Sequence, residues 1–198
     1  MLARKKQGWI NYYRKPFLIV GIITFLSIWF FTNPYFSLSD ELIDLMEGIG
    51  SILLFIGVIG RVFSSFTIAS HKNEKIIDRE LYSIIRHPLY FFSFFMALGI
   101  GFLTGRFELI ALILVVFFLC FYPMIINEES YLEEKFGKEY TEYKKRVPRF
   151  IPRFKKWKTS NEITINLKLV TKTLMDAFLG LLIIPFIELI EYIIYMFK

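Results

Sequence analysis

Cysteine occurs once in the 198-residue sequence, as Cys120 within an apolar run. An intramolecular disulfide is therefore excluded, and so is a cysteine-based zinc site. Histidine is nearly as scarce. His71 and His87 are too few to ligate a metal without several carboxylates beside them, so no metal is expected. No internal repeat is visible, and the paired halves that favour a transporter are missing with it. No small-residue cleavage site follows the first apolar segment. The opening MLARKKQGWINYYRKP is therefore expected to lead into a retained helix and not to act as a signal peptide. The connection after that segment holds no lysine or arginine.

What the chain has in excess is apolar surface. Hydrophobic residues make up 55% and aromatic residues 19%, with a mean hydropathy of +0.49. A soluble domain carries about 45–50% apolar residues and about 25% charged ones. The surplus is gathered into long runs, which marks a membrane protein. The net charge of +6 then reads as contact with anionic headgroups on the cytoplasmic side, and not as nucleic-acid binding.

Five apolar segments follow in order. The first, Pro16 to about Thr32, is just long enough to cross a core of about 30 Å. Pro16 is expected in its first turn, with Trp9, Tyr12 and Tyr13 before it and Trp29 and Tyr35 near its far end as interfacial belts. Asn33-Pro34 ends it. Ser39, Asp40 and Glu41 open a second helix that reaches about Ala69. Arg61 falls inside this crossing, where a charge costs about 2.5–3.5 kcal/mol unless it meets water or protein. Two readings stay open: it snorkels to headgroups, or it faces a ligand cavity. Leu89–Leu103 and Phe107–Ile126 form a helical hairpin around Thr104-Gly105-Arg106. Gly99 and Gly101 in its first arm precede no nucleotide-binding turn, and close helix packing explains them better. Leu132, Phe136, Tyr140 and Tyr143 recur at helical spacing, which predicts an amphipathic surface helix broken near Gly137 and ended by Pro148 and Pro152. Asp176–Phe197, with Glu188 and Glu191 on one side, is a fifth span or an interfacial helix. The fold class expected is an all-α integral membrane bundle of about five spans with a cytoplasmic amphipathic helix.

Basic residues set the orientation. Arg4, Lys5, Lys6, Arg14 and Lys15 precede the first span, and ten basic residues lie between Lys135 and Lys158. By the positive-inside rule the N-terminus and the segments 70–88 and 128–158 face the cytoplasm. The hairpin turn and the C-terminus then face out. The expected location is the bacterial cytoplasmic membrane.

Two polar groups bracket the hairpin: Tyr82, Ser83, Arg86, His87, Pro88, Leu89 and Tyr90 before it, and Asn127, Glu128 and Glu129 after it. A hairpin brings its own ends together, so the two groups should be neighbours at the membrane boundary. Glu128 and Glu129 point about 100° apart on a helix, which predicts different roles: one accepts hydrogen bonds from a ligand, the other pairs with Arg86 or Arg61.

The strings LYSIIRHPLYFFSF and EESYLEEKFGKEYTEYKKRVPRFIP resemble the isoprenylcysteine carboxyl methyltransferase and phospholipid methyltransferase superfamily. Arg86, His87, Pro88 and Tyr90 match its R-H-P-x-Y. Glu128, Glu129, Leu132, Phe136, Gly137 and Tyr140 match its E-E-x-x-L and F-G-x-x-Y. The likeness spans about residues 55–155. Carboxyl-methylating relatives often carry an arginine one turn before the paired glutamates, where this chain has Met124, Ile125 and Ile126. The resemblance implies an S-adenosylmethionine pocket facing the cytoplasm and a lipophilic methyl acceptor entering from the bilayer, with membrane lipids as partners. It implies cofactor contacts from His87, Pro88, Leu89, Tyr90, Tyr82 and Glu129, and catalytic roles for Glu128, Glu129, Arg86 and Arg61. A lipid headgroup or lipid phosphate is the favoured acceptor, with an isoprenylcysteine carboxylate as the alternative. On this reading residues 1–158 are the methyltransferase core and 159–198 a C-terminal extension.

Overall fold

The computed structural model describes residues 2–69, 75–159 and 167–197, without the side chains of 2–15, 167–170, 172, 176, 191, 195 and 197. His71 and the side chains of Trp9, Tyr12, Tyr13 and Glu191 lie outside the described residues. The elements run α1 (Leu2–Phe31), α2 (Asp40–Ala69), α3 (Leu81–Ile84), α4 (Pro88–Leu103), α5 (Phe107–Phe136), α6 (Lys138–Arg146), a 3₁₀ turn (Phe154–Lys156), α7 (Leu167–Leu181) and α8 (Ile183–Phe197). No strand occurs among the described residues.

Among the described residues three stretches are long and apolar enough to cross a membrane: Asp40–Ile68, Phe107–Phe136 and Thr173–Ile194. Pro16–Phe31 and Pro88–Leu103 are shorter apolar helices. The second helix spans the residues its sequence signals predict. The first does not: α1 begins at Leu2 and places Pro16 inside the helix. A proline there leaves the carbonyl four residues earlier without its helical donor, but the chain on both sides remains helical. Proline marks a first turn only when nothing N-terminal to it can continue the helix.

The α4–α5 hairpin lies at the centre, with α2 packed along α4 and α1 along α5. Glycine lets α2 and α4 approach closely. A Cβ on Gly99 would stand 2.7 Å from the Gly50 carbonyl oxygen and from the Leu54 nitrogen. On the other face of α4, a Cβ on Gly101 would stand 3.1 Å from the Ile110 Cα of α5. Both glycines therefore serve helix packing, as the sequence predicts. The turn closes at Gly105 with φ +60°, where a side chain would be strained. Leu54, Val58, Leu103 and Leu109 form the core with Trp29 of α1 and Ile187 and Ile190 of α8.

Helices α7 and α8 are nearly continuous. Pro185 cannot donate to the turn before it, and the break falls at Leu182. The pair runs antiparallel to α2. Gly180 lies beside Val58, and Glu188 lies near Glu47.

Candidate functional site

Helix α5 is 30 residues long, about 45 Å at 1.5 Å per residue. That exceeds a bilayer core of about 30 Å, so its last ten residues project beyond the apolar run that ends at Ile126. Glu128 and Glu129 lie on this projection. Pro88 opens α4 at its first position, where its missing N–H is no loss. The hairpin brings these two ends together.

Glu129 is the centre of the resulting cluster, with only 4% of its surface exposed. Its Oε1 accepts from Arg86 Nη1 at 2.8 Å and lies 3.0 Å from His87 Nε2. A third cation arrives from the segment after α6. Arg149 donates through Nε to Oε1 at 3.0 Å and through Nη2 to Oε2 at 2.6 Å. This fork is the strong, bidentate form of the carboxylate–guanidinium pair. The hydrogen bonds to Glu129 hold the Arg149 guanidinium above its ordinary pKa.

Glu128 has a different environment. Its Oε2 is 4.0 Å from His87 Nδ1 and its side chain is 37% exposed. The two adjacent glutamates thus divide as their helical phase predicts: Glu129 is fixed among cations, and Glu128 lines an open cavity.

That cavity lies between Tyr82, Arg86, His87 and Glu128 on one side and Ile76, Leu132 and Tyr140 on others. Among the described residues four buried side-chain polar atoms have no hydrogen-bond partner of good geometry, Glu108 Oε2 far from this site and the Tyr82 hydroxyl, Arg86 Nε and the Tyr140 hydroxyl around it, the last lying against the Arg86 guanidinium. Each of these three belongs to a cavity-lining residue. Buried polar atoms without partners are rare, and three around one cavity point to a polar ligand. Burial, then the Glu128 charge, pushes the Tyr82 phenol up. Burial, then Glu129, does the same for Tyr140, and burial with Tyr140 beside it raises Tyr143. All three hydroxyls are kept as neutral phenols, able to donate.

The wall behind the cavity is built by α6. Gly137, with φ +55°, turns the chain sharply after α5. Tyr140, Tyr143 and Val147 then pack with Leu132, Phe136 and Ile76. The apolar face read as that of a surface helix is thus buried against protein. Tyr143 donates to the Tyr82 carbonyl at 2.8 Å and fixes α3 against α6.

A second cavity, almost wholly apolar, lies on the membrane side. It is lined by Tyr90, Phe94, Phe121, Tyr122, Ile125 and Phe150, among others. Tyr90 joins the two sites: its ring centroid is 5.8 Å from that of His87 and 5.8 Å from that of Phe121.

The remaining expected residues fall elsewhere. Pro88 is fully buried, and Leu89 is half-buried with its carbonyl accepting from Ser93. Asn127 donates to the Pro123 carbonyl at 2.7 Å. Arg61 is exposed and hydrogen-bonds Ser93 one turn further into α4. The structure does not bring it to Glu129. Arg149 is the residue the sequence reading passed over. Its one local signal is a basic residue bracketed by Pro148 and Pro152, which marks a fixed, non-helical backbone.

Comparison with known proteins bears on this arrangement. Residues 48–139 match the phospholipid methyltransferase family. The chain is 28% identical over 138 residues to the nickel-cobalt-cadmium resistance protein NccN of Alcaligenes xylosoxydans xylosoxydans, covering 69% of this chain and 64% of that one. It is 28% identical over 142 residues to the cobalt-zinc-cadmium resistance protein CzcN of Cupriavidus metallidurans, covering 71% and 65%. A protein-S-isoprenylcysteine O-methyltransferase of Schizosaccharomyces pombe is 37% identical over 95 residues, covering 47% and 40%. In each case the match spans less than two thirds of the relative's length. No solved structure matches the chain significantly. The matched segment contains most of α2, all of α3, α4 and α5, the R-H-P-x-Y corner and both glutamates. Residues 48–139 of this helical membrane protein are therefore similar to the phospholipid methyltransferase family, and part of the chain is similar to isoprenylcysteine O-methyltransferases.

Proposed function

We propose that the chain is a membrane methyltransferase that binds S-adenosylmethionine in the polar cavity and methylates a lipophilic acceptor held in the aromatic one. The observation that carries this reading is the pair of cavities meeting at His87 and Tyr90. One is lined by unpartnered donors and an open carboxylate, the other almost wholly by apolar and aromatic groups.

The residues fit the cofactor. Arg86 Nε and the hydroxyls of Tyr82 and Tyr140 are unpaired donors suited to its carboxylate and ribose oxygens. Glu128 is an acceptor for its amino group, and Ile76, Ile77 and Leu132 supply apolar surface for a purine. When bound, the group supplies an activated methyl on a sulfonium sulfur. Glu129 orients His87 and Arg86 by accepting from both and keeps their rotamers fixed. Tyr90 and Phe121 wall the acceptor and keep water out, which favours in-line approach at about 3–3.5 Å.

The favoured acceptor is a lipid headgroup or lipid phosphate. A carboxylate acceptor of the isoprenylcysteine type is the second reading, and one observation favours it: Arg149 brings a guanidinium to the site from outside α5, with 31% of its side chain exposed. It offers the cation that Met124–Ile126 does not. The topology that suits either acceptor is five crossings with the site on the cytoplasmic side, where the basic segments gather.

Membranes containing the protein are incubated with methyl-tritiated cofactor, and labelled lipid and protein fractions are separated. Label in lipid supports the first acceptor class, and alkali-labile label on protein supports the second. His87→Ala and Glu129→Gln each abolish incorporation while leaving membrane insertion intact. Full incorporation in both variants refutes the site.

A further inference from the structure

The segment after α6 is bound edge-on to the start of α4. The Arg86 amide donates to the Pro148 carbonyl at 2.9 Å, the Arg153 amide to the Ile84 carbonyl at 3.0 Å and the Glu80 amide to the Lys158 carbonyl at 2.7 Å. The Lys158 amide adds a bond to Ser83 Oγ at 3.1 Å. These bonds fix its level: it lies where α4 begins. Phe150 confirms that level, because it shares the aromatic cavity with Tyr122 and Ile125 in the last turns of the apolar run of α5.

From this height the strap presents apolar side chains outward. Ile151 is 79% exposed, Phe154 72% and Trp157 43%. They recur every third residue, with basic residues between them. Arg153 and Lys155 make no ion pair among the described residues, whereas Lys158 pairs with Asp78. A hydrophobic row at this exposure is costly in water. Aromatic rings with lysine and arginine between them suit the headgroup zone of an anionic leaflet, where rings sit at the ester level and cations meet phosphate. A soluble partner would have to displace the bilayer from the same height. The strap also carries Arg149, whose fork closes on Glu129.

We propose that residues 150–158 form an interfacial anchor that inserts Ile151, Phe154 and Trp157 among anionic phospholipid headgroups, and that this docking seats Arg149 on Glu129. Bilayer charge and the buried carboxylate are then linked through one short segment. The inference stands on the strap's geometry and does not require the methyl-transfer reading.

The test uses the full chain in nanodiscs of phosphatidylcholine alone or mixed with phosphatidylglycerol. Ile151→Cys, in a Cys120→Ala background, carries an environment-sensitive fluorophore. Its emission shifts blue and is quenched by lipids brominated near the glycerol in the mixed discs. Phe154→Ser with Trp157→Ser removes the quenching. Hydrogen exchange at the Arg86 and Arg153 amides slows about fivefold from neutral to mixed discs, the equivalent of about one basic side chain at an anionic surface. A water-exposed label in both compositions overturns the anchor. Quenching that appears only as protein density rises overturns it in favour of a second copy. Quenching without slower exchange overturns the seating of Arg149.

Discussion

Replacing Glu129 by glutamine tests how the strap is held. The carboxylate takes both arms of the Arg149 fork, at 3.0 and 2.6 Å. Glutamine keeps one acceptor for Arg86 and His87 and turns an amide N–H₂ toward the other guanidinium nitrogen. Two charge-assisted hydrogen bonds are worth about 1.5–3 kcal/mol each when buried. Arg149 regains hydration on release, since its side chain is already 31% exposed, so about 2 kcal/mol is the expected share of strap opening. That is about thirtyfold in an opening equilibrium. Hydrogen exchange followed by mass spectrometry on the 84–88 and 148–158 peptides reads it directly, because the Arg86 and Arg153 amides are bonded across the strap. Glu128→Gln is the control. At 4.0 Å from His87 and 37% exposed, it behaves as a surface pair worth at most about 1 kcal/mol, and exchange changes less than about fivefold. Equal protection in wild type and Glu129→Gln refutes the assignment of the carboxylate as the strap's fastening.

Other consequences follow from packing and charge. Gly99→Ala drives a Cβ into the backbone of Gly50 and Leu54 and costs about 1–3 kcal/mol, whereas Gly48→Ala meets nothing within 4 Å and stabilises α2 by up to about 1 kcal/mol; equilibrium unfolding in mixed micelles separates them. Arg106→Ala uncaps α1, since this buried guanidinium donates to the Thr32 carbonyl at 3.1 Å and the Asn33 carbonyl at 3.2 Å while pairing with Glu108 at 2.6 Å; the loss is about 3 kcal/mol or more and shows as faster exchange over residues 28–35. Tyr82, Tyr140 and Tyr143 have phenols raised in the fold. Their contribution to stability is complete below the unfolded tyrosine value of about 10 and is lost as pH climbs above it. Absorbance at alkaline pH will show these three ionising only with unfolding, and a titration complete in the folded state would contradict it.

The apolar runs, the hairpin turn and the pairing of its two ends are legible in the residues themselves. Membrane thickness sets helix length, and glycine with proline sets where helices begin and end, so local order carries that information. The likeness of the R-H-P-x-Y and E-E-x-x-L strings also names His87 and Glu129, and their 3.0 Å contact follows once the hairpin closes. Cations are less legible. Arg61, Arg86, Arg106 and Arg149 are alike in sequence, yet one meets a serine on α4, two meet Glu129 and one caps α1. A guanidinium on a flexible stem has a reach of several ångströms and no periodic signature, so only the packed positions of distant segments decide which oxygen it finds. Pro16 errs in the same way: the ring permits either a helix start or an interior position, and the residues before it settle which. The sequence therefore determined the rods and which polar residues stand at their ends, while the acceptors that the arginines find 20 to 74 residues away were decided by tertiary structure alone.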